Sequence, residues 1–199
     1  MIKINNILVT ITGASGAGKS TIIKKLKQRD SEKYIQIPTY TTRTLRKGEK
    51  QGEQHYFIQK EEYKKLKEKE KILACSTVEG EFYGTPQIDL NNPKYTDKCI
   101  IIDIGAKGVE ELKQIYKNII PIYVMPPTQE RIKQNRNQNR LQRSLKQIKY
   151  AEKVCKWLVI NEELEKATDD IEKIILIIQK SGKKVEKITK KDIEYLYKK

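Results

Sequence analysis

The octapeptide "GASGAGKS", Gly13 through Ser20, fits G-x-x-x-x-G-K-[ST], the spacing that cradles a polyphosphate. Glycines let consecutive backbone N–H groups converge on phosphate oxygens, and the helix that follows adds the positive end of its dipole. Lys19 would reach between the β- and γ-phosphates, and Ser20 would ligate Mg²⁺. The expected ATP-binding residues are therefore Gly13, Ala14, Ser15, Gly16, Ala17, Gly18, Lys19, Ser20 and Thr21. The motif alone names no reaction, because motors, switches and kinases share it.

Two later stretches narrow the choice. "TYTTRTLRKGE" sets Arg43 and Arg46 beside threonines, and "EGEFYGTP" presents Tyr83 and Thr85 on a glycine turn. Arginine forks bind phosphate bidentately, and a tyrosine hydroxyl adds a donor. A second anion-binding lobe beside a nucleotide loop points to a kinase with a phosphorylated acceptor; the plainer reading is a basic loop and a β-turn. Further on, Arg136, Arg140 and Arg143 lie four and three residues apart and share one helix face. Such a face could close over the triphosphate and stabilise charge during transfer, or it could simply be solvated.

The elements that must position these groups alternate. "ILVTIT" at 7–12 reads as a buried strand and 19–29 as a helix, so the glycine loop has the flanks its mechanics require. Residues 34–38 and 54–59 are short strand candidates, 60–70 a lysine-rich amphipathic helix, and 71–85 two strands around a glycine turn. "CIIIDI" at 99–104, "IIPIYVM" at 119–125 and "WLVIN" at 157–161 are further buried strands, with helices expected to about 116 and over 162–181. Strands alternating with helices predict an α/β fold: a P-loop three-layer core with a parallel sheet. Segment 38–90 breaks the rhythm and predicts an inserted mixed-β acceptor lobe, 128–148 a short helical lid, and 183–199 a basic C-terminal helix or tail after a domain spanning 1–182.

A chain of 199 residues suffices for one domain. Its 41 Lys+Arg against 26 Asp+Glu give a net charge of +15, which favours anionic partners. Aromatics do not interleave with the basic residues as a stacking platform needs, apart from "YLYKK" at the end, so nucleic acid is not the expected partner. Three scattered cysteines give no disulfide framework, and no apolar run approaches the ~20 residues of a membrane span. The expectation is a cytoplasmic protein, monomer or homodimer, acting on small nucleotides away from membranes.

The order P-loop, "TTRTLRKGE", "EFYGT", "IIDIGAKGV", "IYVMPP" and "VINEELEKA" resembles guanylate kinases over residues 5 to 181. The resemblance implies ATP-dependent phosphorylation of a nucleoside monophosphate, GMP foremost, with Mg²⁺. It implies that Arg43, Arg46 and Tyr83 hold the acceptor phosphate, that Thr39 and Thr85 lie near the base, and that Asp103 lies near the metal and acceptor. Lys19, Arg43 and the three lid arginines would be catalytic.

Three positions depart from that family. Ala74 stands where a guanine-binding Glu is usual, and Gly105 replaces the second Asp of "DIDxQG". Loss of such paired polar groups weakens base selectivity by about 10²–10⁴-fold. His55 replaces a tyrosine, so His55 or Tyr56 beside it would supply a donor to the acceptor phosphate, unless it is simply a half-exposed strand residue. The alternatives left open are a kinase for another phosphorylated acceptor, such as a different nucleotide or ribose 1,5-bisphosphate, and a non-catalytic guanylate-kinase-like binding module.

Overall fold

The computed structural model describes residues 7–14, 16–126, 150–151 and 153–181. β1 (Ile7–Thr12) is buried along its whole length, which a β-branched run on a central parallel strand permits. It pairs in parallel with β7 (Cys99–Asp103) on one side and β8 (Ile119–Met125) on the other. β2 (Tyr34–Gln36) and β9 (Trp157–Ile160) close the edges, giving the all-parallel order β2-β7-β1-β8-β9. The chain visits one flank of β1 before the other, so the topological switch point falls at the carboxyl end of β1, where α/β sheets bind ligands.

Alternation along β1 assigns its faces. Ile7, Val9 and Ile11 pack with Ile22, Ile23 and Leu26 of α1 (Lys19–Arg29) and with Ala167, Ile171, Ile174 and Ile175 of α4 (Leu164–Ser181). The α4 residues recur at intervals of four, three and one, a single helical stripe. Leu8 faces the opposite layer with Ile100, Ile102 and Leu112, the last from α3 (Ala106–Ile115). Each fully buried isoleucine or leucine stabilises the fold by about 1.5–3 kcal/mol.

Residues 39–86 build a second sheet, β4-β3-β6-β5, from β3 (Thr39–Thr41), β4 (His55–Phe57), β5 (Ile72–Val78) and β6 (Glu81–Pro86). It is mixed, because β3 and β4 run parallel while β6 is antiparallel to β3 and β5. α2 (Lys60–Glu68) packs on it through Tyr63, whose hydroxyl donates to the Tyr83 carbonyl at 2.8 Å. A Cβ on Gly84 would sit 2.1 Å from Ile72 Cγ2 and 2.9 Å from the Tyr63 hydroxyl, so the glycine of "YGT" is there for close packing. The lobe meets the core at α3: Ala74 lies in the same apolar cluster as Leu112, and a Cβ on Gly108 would touch Ile104 and Ala74.

Strand boundaries are shorter than the sequence suggests. β2 stops at Gln36 because Pro38 lacks the N–H that would continue the ladder. β3, "TYT", was not anticipated, since three residues carry too little periodicity to be read. α4 begins at Leu164 rather than 162. The expected lid at 128–148 and the tail at 183–199 lie outside the described residues.

On the surface, Arg29 ties α1 to α4. Its guanidinium reaches Glu165 at 2.9 Å, Asp169 at 2.7 Å and Glu172 at 3.0 Å, and Glu172 accepts from the Tyr34 hydroxyl at 2.7 Å. Lys25 adds a second contact to Glu165. A network of this kind exceeds an isolated surface pair. Arg29→Ala should lower unfolding free energy by about 1 kcal/mol, with the loss shrinking in high salt. Denaturant midpoints in low and high salt check this; identical wild-type and variant curves would remove the role.

Candidate active site

The glycine loop leaves β1 and enters α1 at that end of the sheet. Gly13, Gly16 and Gly18 have φ of 152°, 84° and 86°, a region side chains rarely adopt. Gly13 is also crowded, since a Cβ there would lie 2.1 Å from the Val124 carbonyl oxygen. Lys19 donates to the Gly13 carbonyl at 3.1 Å and the Ala14 carbonyl at 3.4 Å, so its ammonium is folded over the loop. It also lies 3.9 Å from Asp103 Oδ1, at the end of neighbouring β7. Ile11 pairs with Asp103 in register, which is why the loop and the carboxylate emerge side by side. Ser20 is exposed in the first turn of α1, whereas Ser15 lies outside the described residues.

The arginine loop joins β3 to β4. Arg43 and Glu49 form a bidentate pair, with Nη1 to Oε2 and Nη2 to Oε1 both 2.7 Å. The guanidinium stands 5.1 Å over the Phe57 ring. Hydrogen bonding to Glu49 raises the Arg43 pKa above its ordinary value despite the opposing effect of burial, and the nearby Tyr83 hydroxyl raises it further. Arg46 is exposed, and its backbone N–H donates to Glu49 Oε2 at 2.9 Å.

Thr39 and His55 are partners in the β3–β4 register, and Thr39 Oγ1 lies 2.7 Å from His55 Nδ1. The His55 ring meets Tyr83 edge-on at 5.9 Å and Phe57 at 5.7 Å. Burial depresses the His55 pKa below 6.5 and the Arg43 charge adds to this, while Asp103 and Glu49 pull the other way. His55 therefore lies within electrostatic reach of both the arginine loop and Asp103. Thr85 is fully buried, and its hydroxyl has no hydrogen-bond partner among the described residues.

Of the residues singled out from the sequence, these distances bring Gly13, Ala14, Lys19 and Asp103 together, and separately Thr39, Arg43, His55 and Tyr83. Tyr56 does not join them. It follows His55 on a strand, so it points to the other face, where its ring lies 5.3 Å from Tyr40. His55, and not Tyr56, therefore shares the face of Thr39 and Tyr83. Arg136, Arg140 and Arg143 lie outside the described residues.

The guanylate kinase family model matches residues 5–177. The chain belongs to the guanylate kinase family. Among similar proteins, the guanylate kinase of Schizosaccharomyces pombe is 33% identical over 84% of this chain and 89% of its own. That of Carboxydothermus hydrogenoformans is 29% identical over 90% and 92%. The crystal structure of guanylate kinase from Anaplasma phagocytophilum superposes with a TM-score of 0.74 at 27% identity, covering 89% of this chain and 87% of that one. Membership makes the protein an ATP-dependent nucleoside monophosphate kinase.

Within this family the departures now have a physical form. Ala74 is buried with φ 49° beside a register shift in β5, against α3, so the position expected to carry a carboxylate joins an apolar seam instead. Gly105 is exposed, with open space around its would-be Cβ. Two residues near the sites were not singled out from sequence. Asn161 follows β9 and donates Nδ2 to the Ala17 carbonyl at 2.8 Å, bracing the phosphate loop. Glu49 lies within the quoted "RKGE", and only its contact with Arg43 gives it meaning.

The depressed His55 pKa has a pH consequence. Just below the ordinary value the unfolded chain binds a proton that the folded protein refuses, so stability falls as pH drops through about 6.5 and levels off below the folded pKa. Between about pH 7.5 and about pH 5.5 the wild-type Tm should fall more than that of His55→Gln. Parallel melting profiles would show that His55 does not titrate against the fold.

Proposed function

We propose that the protein transfers the γ-phosphoryl group of ATP to GMP, giving ADP and GDP. The observation that supports this reading best is a glycine loop whose Lys19 lies 3.9 Å from Asp103, together with an arginine-bearing loop in which Glu49 clamps Arg43. The cradle would take the triphosphate on the Gly13–Ser20 backbone, with Lys19 released from its carbonyl partners to the β- and γ-phosphates. Arg43, Arg46, Tyr83 and His55 would hold the acceptor phosphate, and Thr39 and the unpaired Thr85 hydroxyl would face the base. Arg136, Arg140 and Arg143 would complete the donor side. Phosphoryl transfer asks little covalent chemistry of the protein, so alignment and charge neutralisation carry it.

The oxygen donors fit Mg²⁺. Among the described residues no cluster of three His, Cys, Asp or Glu could cage a metal unaided, while the Ser20 hydroxyl, next to Lys19 in sequence, and the Asp103 carboxylate, 3.9 Å from the Lys19 ammonium, would supply oxygens beside substrate phosphates. Mg²⁺ is typically held by one or two such groups together with substrate phosphates and water. When bound it would neutralise charge on the phosphates.

We further assign the protein to the cytoplasm. The described cysteines, Cys75, Cys99 and Cys155, are all free thiols, and no helix among the described residues is long and apolar enough to cross a membrane.

Lys19→Met should reduce turnover by at least about 10²-fold while leaving the melting temperature near wild type. Near-normal turnover in that variant would refute the cradle assignment. A coupled ADP-release assay over a panel of nucleoside monophosphates and ribose 1,5-bisphosphate should give GMP the highest kcat/KM. Dominant turnover of another acceptor would trace to Ala74 and Gly105 and overturn the GMP assignment.

A further inference from the structure

Arg43 carries five N–H donors, and their use is unequal. One hydrogen of Nη1 and one of Nη2 run to the two oxygens of Glu49, each at 2.7 Å. The other Nη1 hydrogen goes to the Thr44 carbonyl at 2.9 Å. Glu49 and Thr44 leave the Nε hydrogen and the second Nη2 hydrogen unused, and the Tyr83 hydroxyl lies close enough to interact with the guanidinium. These two hydrogens lie parallel along one edge of the planar group, the arrangement that accepts two oxygens of a phosphate. Phe57 covers one face of the guanidinium, so rotation is restricted as well.

Glu49 is itself held. Its Oε2 accepts the Arg46 N–H at 2.9 Å, and its own N–H donates to the Arg46 carbonyl at 3.0 Å. Hydrogen bonding to Arg43 brings its carboxyl down to about 2, with the Arg46 backbone bond assisting, so it stays anionic at any working pH. Its side-chain contacts among the described residues are with Arg43 and Arg46 of its own loop. A carboxylate beside an anion site is an electrostatic cost, and it needs a compensating function.

We infer that Glu49 is a positioning residue for the acceptor: its carboxylate grips the end of the Arg43 guanidinium so that the side edge stands ready for a phosphate monoester. This rests on the assignment of Arg43 to the acceptor phosphate made above. A free arginine loses its rotamer freedom when the ligand binds, whereas one already clamped has lost it on folding. The Glu49 charge is offset because two guanidiniums, Arg43 and Arg46, share the loop with it. Glu49 thereby fixes direction, while the pair of arginines supplies the attraction.

The test is a four-member kinetic cycle of wild type, Glu49→Gln, Arg43→Lys and the double variant, with KM measured for GMP and for ATP. Glu49→Gln should raise the GMP KM about tenfold or more and leave the ATP KM within about twofold. Lysine cannot form the bidentate clamp, so Glu49→Gln should add less than about twofold in the Arg43→Lys background. Multiplicative effects, an unchanged GMP KM, or tighter GMP binding in Glu49→Gln would each overturn the inference; the last would mean that Glu49 competes with the phosphate. A rise in both KM values with a collapsed melting temperature would assign Glu49 to loop folding alone and would also overturn it. Should Glu49→Gln not fold, Glu49→Asp keeps the charge but withdraws it by one methylene, and it must still raise the GMP KM selectively. An Arg43→Lys variant with normal GMP KM would instead defeat the assignment of Arg43 itself.

Discussion

The register of β1 against β7 and β8 is the constraint from which the site follows. Pairing Ile11 with Asp103 and Thr12 with Tyr123 makes the glycine loop and the carboxylate leave the sheet at one level. A slip of one residue would turn every β1 side chain to the wrong face, exposing Val9 and Ile11 to the opposite layer. Burial on both faces of β1 therefore enforces the alignment of Lys19 with Asp103, and core packing is also active-site geometry here.

The glycine loop and the arginine loop achieve rigidity by different means. The cradle is made of backbone, kept open by glycines at left-handed φ and braced by Asn161 against the Ala17 carbonyl. The arginine loop is made of side chains, which must be immobilised one at a time. Glu49 takes Arg43, Thr39 takes His55, and Thr42 both accepts the Phe82 N–H at 2.9 Å and donates to Glu81 at 2.6 Å. Backbone sites are robust to side-chain substitution but not to an added Cβ, and side-chain sites are the reverse.

Sequence carried the core and the cradle well, and the acceptor lobe less well. A buried parallel strand announces itself as a continuous β-branched run, as in "ILVTIT" and "CIIID", and the phosphate loop has fixed spacing. β4 lies within the expected strand at 54–59, whereas the three residues of β3 carry no such signal, and only their pairing reveals that Thr39 meets His55 and that Tyr56 faces away. Glu49 was invisible for a related reason: a carboxylate six residues from an arginine has no local periodicity, and the loop must close before they meet. Ala74 was readable as a missing carboxylate, but its place in an apolar seam with α3 depends on the β5 register shift.

Parallel pairing of β3 with β4 requires a crossover, and residues 42–54 make it without a helix. Both ends are stitched into adjacent strands of one sheet, and Gln51 adds a side-chain hook, exchanging hydrogen bonds with the Phe57 N–H at 2.9 Å and carbonyl at 3.2 Å. Such a tether cannot swing like a hairpin tip. Arg43 and Arg46 are thus carried on a segment anchored to both β3 and β4, and their sheet rests on α3 where Ala74 and Gly108 meet. Bulk added at Ala74 or Gly108 would therefore be felt across the whole lobe rather than at one residue.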